Sequence, residues 1–576
     1  MRKLTSNDIK SIPWLYRRMQ KHMPALMLIT GSNMARSALG VGFALCTQRV
    51  IDSAVAGLQG GQINPAFFHA AGLLGAAIIG QLLCSLINEL MTEGLSIKLE
   101  RDLRHEFFHQ LLRADYASLS QYHSGDLVNR MNSDVGTVNS GVMYFIPATL
   151  SLIVTFIMSF IALSKRAPRF AIILLAATII VASSSLLFRK KVMELTKLTN
   201  QSNGKYTGYI QEILENLLMV HALDVSAQVE RKADKLHEER ERIRREKRKL
   251  SLILSTSMPV ISYFISFGTL IYCAIEIMHG RMSVGSLTAL TQLASYVQGP
   301  VYSLPGLARQ MMTTGGAAER LMEIDRMAGE GESQAMDVKL LMDDAVSIGA
   351  EHLSFRYSEE NREAVLEDIS FELPLDGMSV ITGPSGVGKS TLLKLLLGVY
   401  RPQKGRLFLR YRDGRKKTLD RGTRSIFTYA PQGNLLISGT LRENILIANE
   451  TASEDQLKEA VYISTMDEYL EKLPDGLETK IGENARGLSE GQAQRLSLAR
   501  AIISDSPVML MDEVTSSLDR ETERKVVERL KSLKSRTCII VTHRPAPLQM
   551  SDWEMRVEKN CVTVRKVQTR GIMNVR

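Results

Sequence analysis

The sequence predicts an all-α transmembrane domain with long cytoplasmic helical extensions, followed by an α/β domain with a largely parallel sheet. Two observations divide the 576-residue chain in this way. Six apolar stretches, each approaching the length of a bilayer-spanning helix, follow one another in the first half. From about residue 320 the composition changes, and short β-branched segments alternate with helical patterns. A chain of this length also exceeds what one hydrophobic core supports, so at least two domains are expected.

The first half predicts six membrane spans. A spanning helix needs about 20 mostly apolar residues. Six such stretches in succession are a poor match to the buried helices of a soluble core. The fourth stretch, which contains FAIILLAATIIVASSSLLF, is the cleanest. The predicted spans lie at about residues 24–46, 66–91, 138–163, 169–188, 252–278 and 282–306.

Two charged residues fall inside predicted spans. Arg36 lies near the middle of the first span, and Glu276 lies late in the fifth. A charge in the bilayer costs at least ~2.5–3.5 kcal/mol unless it is paired or hydrated. Arg36 therefore either faces a water-filled cavity, or is satisfied by an internal ion pair or by snorkelling to the interface. The same question, cavity or ion pair, applies to Glu276.

Loop charge predicts the orientation of the spans, because segments rich in Lys and Arg remain cytoplasmic. The N-terminal segment and the segments after the second and fourth spans are basic. The link at 164–169 carries three cations on the opposite side, and the larger basic segments outweigh it. The N-terminus lacks the apolar run and cleavage site of a signal peptide. The sequence therefore predicts a multi-pass membrane protein whose N-terminus is cytoplasmic.

The basic segments also explain the formal net charge of +10. In the most basic run, 240–249, Glu241 and Glu246 interleave with the cations at helical spacing. This pattern is typical of a solvated helix with ion pairs along its length, so no nucleic-acid partner is expected. The five cysteines show neither metal-ligand nor disulfide spacing, which favours cytosol and membrane interior.

The second half contains a phosphate-binding motif of the form G-x-x-x-x-G-K-[ST], between a predicted strand and a predicted helix. Its glycines let backbone N–H groups surround phosphates, and the helix N-terminus adds partial positive charge. Lys389 can reach the β- and γ-phosphates, and the Ser390 hydroxyl can ligate Mg²⁺. The predicted domain is therefore a P-loop nucleotide-binding domain that takes a nucleotide with β- and γ-phosphates together with Mg²⁺. The candidate nucleotide-binding residues of this loop are Gly383, Pro384, Ser385, Gly386, Val387, Gly388, Lys389, Ser390 and Thr391.

Two further strands end in residues suited to hydrolysis. The apolar run 508–511 leads into Asp512 and Glu513. The first carboxylate suits Mg²⁺, and the second can orient and deprotonate the attacking water. His543 follows the β-branched run 539–542 and can contact the γ-phosphate. Since ligands of parallel sheets bind at the carboxyl ends of the strands, these residues and Lys389 form the predicted catalytic set.

The segment 487–501 resembles the signature sequence and following helix of ATP-binding cassette (ABC) transporters. It begins Gly-Leu-Ser-Glu-Gly-Gln, where the family signature reads LSGGQ, and it precedes the carboxylate strand. The resemblance covers nearly the whole chain, and six spans followed by one cassette are similar to an exporter-type half-transporter. Glu490 departs from the family pattern. Because a carboxylate would repel a triphosphate, we expect its side chain to point away.

The resemblance implies further site residues. Tyr357 matches the aromatic that stacks on adenine, and Gln432 matches the Q-loop glutamine that touches Mg²⁺. Asp519 matches the D-loop, and His543 the switch histidine. Ser489, Gly491 and Gln492 match signature residues that act on ATP held by the opposite cassette, so two chains are implied. Residues 479–483 are similar to an exporter motif that meets the cytoplasmic helices, and coupling helices are expected near 115–122 and 212–222.

The implied organisation is a transmembrane domain over 1–320, a linker over 321–345 and an ATP-binding cassette over 346–576. The implied function is ATP-driven export across a bacterial plasma membrane, with the cassette cytoplasmic. The partner is a second copy or a paralogous half-transporter, surrounded by membrane lipid. An importer built on the exporter fold and an ATP-gated channel or regulator remain alternatives. Small-molecule, lipid and peptide substrates all remain open.

Overall fold

The computed structural model describes residues 6–567 except for 61–64, 328, 331–335, 358–363, 434, 483–485, 534 and 560. The chain divides into two compact units, Met1–Gln110 with Ser124–Arg326 and Leu111–His123 with Met327–Arg576. The sequence-based division places residues 111–123 in the transmembrane domain, whereas their contacts group them with the second unit. Part of the expected linker 321–345 continues the last long helix to Asp325, and its residues 328 and 331–335 lie outside the described part.

The first unit is helical, as the sequence predicts. Among the described residues, six helices of this unit exceed 30 residues, and five of them contain a whole predicted span; the sixth span, 282–306, begins two residues before α10. The helices up to the end of this unit are α1 (Ser6–Met19), α2 (Met23–Gly60), α3 (Pro65–Arg113), α4 (Tyr116–Leu119, in the second unit), α5 (Ser124–Asn129), α6 (Val135–Arg166), α7 (Pro168–Glu215), α8 (Leu217–Ala222), α9 (Ser226–Met278) and α10 (Val284–Asp325).

The lengths of these helices confirm that the spans continue beyond the bilayer. Helix α3 has 49 residues, which corresponds to about 74 Å at 1.5 Å per residue, against a hydrocarbon core of about 30 Å. Four helical runs are long and apolar enough to cross a membrane, namely Pro13–Leu58, Pro65–Arg113, Ser124–Arg166 and Ser226–Met278. Pro168–Ile180 is a shorter apolar run. The fourth predicted span, 169–188, extends beyond this run, and the side chains of residues 181, 182 and 184–188 lie outside the described part.

The sixth predicted span forms the interior of the first unit. Leu290, Leu293 and Val297 of α10 are fully buried, and they pack with apolar residues of α2, α6, α7 and α9. Helix α10 also carries glutamines, of which Gln298 is buried. A helix surrounded by other helices can hold such residues, since protein groups can satisfy them there. This explains how α10 can hold a buried glutamine among apolar residues.

The two charged residues of the predicted spans differ in their surroundings. Glu276 forms an ion pair with Arg281 at 3.3 Å, which agrees with the ion-pair alternative. Arg36 is exposed, and it forms no hydrogen bond or ion pair with another described residue. Nearby, the Asn33 side chain donates to Asn88 Oδ1 at 2.7 Å, so two polar side chains on α2 and α3 satisfy each other.

Helices α6 and α10 approach closely at Gly141. A Cβ atom at this position would lie 1.9 Å from Thr314 Oγ1 and 2.7 Å from Thr314 Cβ. Small residues at a crossing allow such close backbone approach in membrane helices. The contact therefore requires glycine at residue 141.

We expect Gly141→Ala to destabilise the first unit by about 1–3 kcal/mol, because the added methyl group forces α6 and α10 apart. The measurement is the apparent melting temperature of the purified protein in detergent. Gly136→Ala on the same helix is the matched control, since a Cβ there meets nothing within 4 Å. Equal melting temperatures for the two variants would contradict the tight crossing.

The second unit is the predicted α/β domain, with its strands in three sheets. The six-stranded sheet has the order β12-β11-β3-β10-β9-β6, in which β11, β3, β10, β9 and β6 are parallel and β12 is antiparallel. A separate four-stranded antiparallel sheet has the order β2-β1-β4-β5, and β7 pairs with β8. The strands are β1 (Ala345–Phe355), β2 (Leu366–Pro374), β3 (Met378–Thr382), β4 (Lys404–Tyr411), β5 (Lys416–Thr418), β6 (Phe427–Ala430), β7 (Gly439–Thr440), β8 (Lys480–Ile481), β9 (Val508–Asp512), β10 (Thr537–Val541), β11 (Trp553–Glu558) and β12 (Cys561–Lys566).

The parallel sheet lies between two hydrophobic clusters, which explains its continuous apolar strands. Every residue of β9 and β10 is buried, as expected for parallel strands covered on both faces. The antiparallel sheet was not anticipated from the sequence, although its strands also join one of these clusters. The remaining helices are α11 (Val338–Met342), α12 (Lys389–Leu396), α13 (Leu441–Leu446), α14 (Glu454–Ile463), α15 (Asp467–Leu470), α16 (Glu490–Ile503), α17 (Arg520–Lys531) and α18 (Pro545–Met550).

Candidate functional site

The phosphate-binding motif forms a tight loop between β3 and α12. Gly383, Gly386 and Gly388 have φ values of +142°, +80° and +105°, a region that side chains other than glycine rarely adopt. A Cβ at Gly383 would also lie 2.1 Å from the carbonyl oxygen of Val557. Because α12 begins at Lys389, the loop brings its backbone to a helix N-terminus, as anion binding requires.

Lys389 lies inside this loop. Its side chain is buried, and its Nζ atom donates to the carbonyl oxygens of Gly383 and Pro384, each at 2.8 Å. Burial lowers the pKa of Lys389, while the nearby carboxylates of Glu513 and Asp512 oppose that shift. The ammonium group is thus held by carbonyl oxygens of the loop into which phosphates are expected to bind.

The end of β9 brings Asp512 to the same place. The Ser390 hydroxyl donates to Asp512 Oδ1 at 3.0 Å, and the Tyr429 hydroxyl donates to Asp512 Oδ2 at 3.3 Å. Asp512 is only 2% exposed. Burial raises its pKa, and the two hydroxyl donors partly counter this effect. A hydroxyl and a carboxylate side by side are oxygen ligands of the kind Mg²⁺ prefers.

Two other candidate residues meet Glu513. Gln432 Nε2 donates to Glu513 Oε2 at 2.8 Å, and His543 Nε2 lies 3.6 Å from Glu513 Oε1. Glu513 has a φ of +50°, and its backbone N–H donates to the carbonyl oxygen of Val541 at 3.0 Å. A positive φ is unusual for a residue other than glycine and occurs often at functional sites. The arrangement turns the carboxylate away from the line of β9 toward Gln432 and His543.

Tyr357 belongs to a group of aromatic side chains in the second unit. Its ring is partly exposed, and its hydroxyl lies 2.8 Å from Thr391 Oγ1, which ties it to the phosphate loop. Its ring meets the ring of Tyr400 edge to face at 5.2 Å. Tyr400 in turn meets Tyr116 of α4 at 5.7 Å. Tyr357, the expected adenine-stacking residue, is therefore connected through the Tyr400 ring to Tyr116, which lies in the segment of the first expected coupling helix.

The signature residues form the start of α16. Ser489 is the N-cap, and its Oγ accepts from the Gln492 N–H at 3.3 Å while Gln492 Oε1 accepts from the Ser489 N–H at 2.8 Å. The Glu490 side chain is exposed. Asp519 similarly caps α17 by accepting from two backbone N–H groups at 3.0 Å. Among the described residues, none of these side chains hydrogen-bonds to the phosphate loop of its own chain.

The structure thus brings together Lys389, Ser390, Asp512, Glu513, Gln432 and His543. Within the described part of the chain, Ser489 and Gln492 hydrogen-bond to each other and not to this group. Sequence reasoning missed Tyr429, which donates to Asp512. The sequence signal that could have identified Tyr429 is its position, three residues before Gln432 and on a strand of the parallel sheet. The short helices α4 and α8 lie within the two ranges expected for coupling helices, and Glu483 of the exporter motif lies outside the described residues.

The pKa directions of two aspartates predict opposite pH effects on the nucleotide-free protein. Because burial raises the pKa of Asp512, its charged form disfavours the fold above that pKa, and the penalty disappears as the pH falls through it. We therefore expect Asp512→Asn to melt at or above the parent temperature at pH 7.5, with the difference vanishing near pH 4.

Asp519→Asn is the matched control for this measurement. Backbone and side-chain hydrogen bonds from Thr522 lower the pKa of Asp519, so its charge favours the fold above the unfolded pKa. Its replacement should lower the melting temperature at pH 7.5, and the loss should shrink on acidification. A stabilising Asp519→Asn and a destabilising Asp512→Asn at pH 7.5 would contradict both assignments.

Comparison with known proteins decides the family. The model of the ABC transporter transmembrane region matches residues 26–301, and the ABC transporter model, which describes the cassette, matches residues 366–516. The chain belongs to the ABC transporter family. It combines the two modules of this family in one polypeptide, and an ABC cassette binds ATP and couples its hydrolysis to transport.

Relatives of this ABC transporter have the same two-module organisation. An export ATP-binding/permease protein of Rickettsia bellii is 25% identical over 486 residues, 83% of each chain. A multidrug resistance ABC transporter ATP-binding and permease protein of Lactococcus lactis is 25% identical over 522 residues, 90% of this chain and 85% of the relative. The structure of a bacterial Atm1-family ABC exporter with ATP bound matches with a TM-score of 0.78 and 19% identity, over 95% of this chain and 94% of that one. This last likeness shows the fold.

Proposed function

We propose that this ABC transporter is an exporter half-transporter, which acts as a dimer with a second copy of itself or a paralogous half-transporter. One observation carries the proposal. Each chain has a phosphate loop with its hydrolytic residues, while its signature residues begin a separate helix that makes no hydrogen bond to that loop among the described residues. A second cassette can supply the missing signature, so that two chains enclose two ATP molecules.

The geometry of the phosphate loop supports the proposed roles of the residues around it. Backbone N–H groups and Lys389 bind the phosphates of ATP, and the Tyr357 ring stacks on the adenine. Glu513 accepts the proton of the attacking water, because its carboxylate lies at the rim of the sheet next to Gln432 and His543. His543 stabilises the γ-phosphate. Ser489, Gly491, Gln492 and Asp519 act across the dimer interface.

The same loop suits a divalent cation. Ser390 and Asp512 present two oxygen atoms 3.0 Å apart beside the loop, and Gln432 lies at its edge next to Glu513. We assign these three residues to Mg²⁺. When bound, Mg²⁺ neutralises charge on the β- and γ-phosphates. Asp512 remains the residue that orients Ser390, and Tyr429 holds the second oxygen of the carboxylate.

We place the protein in a bacterial plasma membrane, with its N-terminus and cassettes in the cytoplasm. The exported substrate is a small molecule, a lipid or a peptide. Because the Lactococcus relative is named for multidrug resistance, apolar dyes are the first probes to test. ATP binding closes the cassettes, hydrolysis separates them, and the long cytoplasmic helices transmit this motion to the spans.

The test is ATP-dependent uptake of a fluorescent dye, a labelled phospholipid or a labelled peptide into inside-out vesicles that contain the full chain. Export predicts accumulation inside these vesicles for one of the three classes, with Glu513→Gln vesicles as the inactive control. Movement in the opposite direction would show an importer. ATP-dependent conductance without stoichiometric turnover would show a channel. Either result would overturn export.

A further inference from the structure

A glutamine of the signature helix is bound to the loop that carries the proposed base. Gln494 lies in the second turn of α16 and is only 3% exposed. Its Nε2 donates to Ser516 Oγ at 3.0 Å, and its Oε1 accepts from the Ser517 N–H at 3.2 Å. The buried amide of Gln494 therefore uses both its donor and its acceptor, and it binds two adjacent residues of the loop between β9 and α17.

Helix α16 also lies close to this loop at Gly491, one turn before Gln494. A Cβ at Gly491 would lie 3.2 Å from the carbonyl oxygen of Ser517 and 3.4 Å from Leu518 Cδ2. The signature helix thus lies directly against the loop. A displacement of this helix cannot leave Ser516 and Ser517 in place without breaking both hydrogen bonds of Gln494. Breaking them would leave buried polar groups unsatisfied, which is costly.

The same loop is bound on its other side by the residue after His543. The guanidinium of Arg544 donates to the carbonyl oxygen of Ser516, and the backbone N–H of Arg544 donates to Thr542 Oγ1 at 2.9 Å. Glu513 begins the loop, and its carbonyl oxygen accepts from the Ser516 N–H at 3.1 Å. Ser516 therefore connects three elements, namely the signature helix, the proposed base and the strand end that carries His543.

We propose that Gln494 is a positioning residue that links the two ATP sites of the dimer. The inference rests on the proposed function, in which the start of α16 contacts ATP held by the partner. When that contact moves α16, Gln494 moves Ser516 and Ser517, and through them Glu513 of its own site. Each site then reaches its hydrolytic geometry only when the other site holds ATP. Gln494 itself touches neither nucleotide nor water.

The test replaces Gln494 by Met in the full chain, reconstituted in lipid nanodiscs. Methionine keeps the length of the side chain and suits a helix, but it cannot bind Ser516 or Ser517. We expect the ATP dissociation constant to stay within about twofold, whereas kcat falls about 10-fold, as for two weakened hydrogen bonds. The Hill coefficient for ATP, above 1 in the parent, should fall to about 1. A residue that only stabilises the fold would not change cooperativity.

The matched control is Gln456→Met. Gln456 lies in the first turn of another cassette helix, α14, where its Oε1 accepts from the Ser453 N–H at 2.8 Å. Among the described residues, it forms no hydrogen bond with the loop between β9 and α17. Its kcat and Hill coefficient should equal those of the parent. If gel filtration and the melting temperature show that Gln494→Met does not fold, the same measurements are made on Ser516→Ala instead. This variant removes one of the two hydrogen bonds, so we expect about a threefold loss of kcat and a reduced Hill coefficient.

Parent values of kcat and Hill coefficient in Gln494→Met, or in Ser516→Ala when it carries the test, would overturn the inference. A parent Hill coefficient of 1 would also overturn it. Failure of the proposed function has a different signature. In that case the parent protein itself would not hydrolyse ATP, or Glu513→Gln would hydrolyse it at the parent rate. The two failures are therefore distinguishable in one set of measurements.

Discussion

Glu513→Gln is expected to lower ATP turnover by about 10²–10⁴-fold, the contribution typical of a general base, while ATP binding stays within about twofold of the parent. The amide keeps the size of the side chain and can still accept the hydrogen bond from Gln432. It cannot accept a proton from the attacking water. The measurements are phosphate release and equilibrium binding of ATP, both with protein in nanodiscs.

The matched control for this prediction is Glu558→Gln. Glu558 is an exposed carboxylate on β11, paired with Arg556 at 2.8 Å, and its replacement should leave turnover unchanged. Hydrolysis by Glu513→Gln at the parent rate would show that another group accepts the proton. The bound-ATP state trapped by this variant should also be dimeric, which gel filtration of the detergent-solubilised protein can check.

Lys389→Met should weaken ATP binding by at least about 30-fold, because truncating one member of a buried charged pair costs about 2–5 kcal/mol. Its fold should survive. Burial lowers the pKa of Lys389, so the charged side chain is unfavourable in the nucleotide-free protein and its removal relieves that cost. We therefore expect a melting temperature equal to or above that of the parent without ATP, and a much smaller upward shift when ATP is added.

Lys394→Met provides the comparison on the same helix. Lys394 lies in the last turn of α12, away from the carbonyl oxygens that hold Lys389. Its ATP affinity should stay within about threefold of the parent. If the ATP dissociation constant of Lys389→Met equals that of the parent, the loop does not bind the phosphates as proposed. This result would contradict the proposed mechanism.

Local sequence patterns were sufficient for the helical half and for the phosphate loop. Long apolar runs have no stable alternative to helices in a bilayer, because each backbone polar group must be satisfied within its own segment. In the loop, Gly383 and Gly388 were identifiable from the motif, and the structure explains why glycine is needed, since both have a positive φ and close neighbours. Both features depend on short stretches of chain, which a sequence displays directly.

Features that depend on distant residues were not accessible in the same way. The antiparallel sheet pairs β1 with both β2 and β4, and no local pattern specifies such pairing. The expected domain boundary assigned residues 111–123 to the transmembrane domain, yet their contacts group them with the unit that contains the cassette. Likewise, Tyr429 has no motif of its own, and only the neighbouring strand β9 makes it a partner of Asp512.

The sequence by itself determined the family and the phosphate-binding motif, and it predicted six spans and a hydrolytic set, because each motif or apolar run is encoded in a short stretch of chain. Only the tertiary structure decided how these residues are connected. It brought Gln432 and His543 into contact with the Glu513 carboxylate. It also brought Gln494 and Arg544 to Ser516, to which both donate hydrogen bonds. These contacts join residues up to 81 positions apart, and the packing of strands and helices, rather than any local preference, brings such residues within hydrogen-bonding distance.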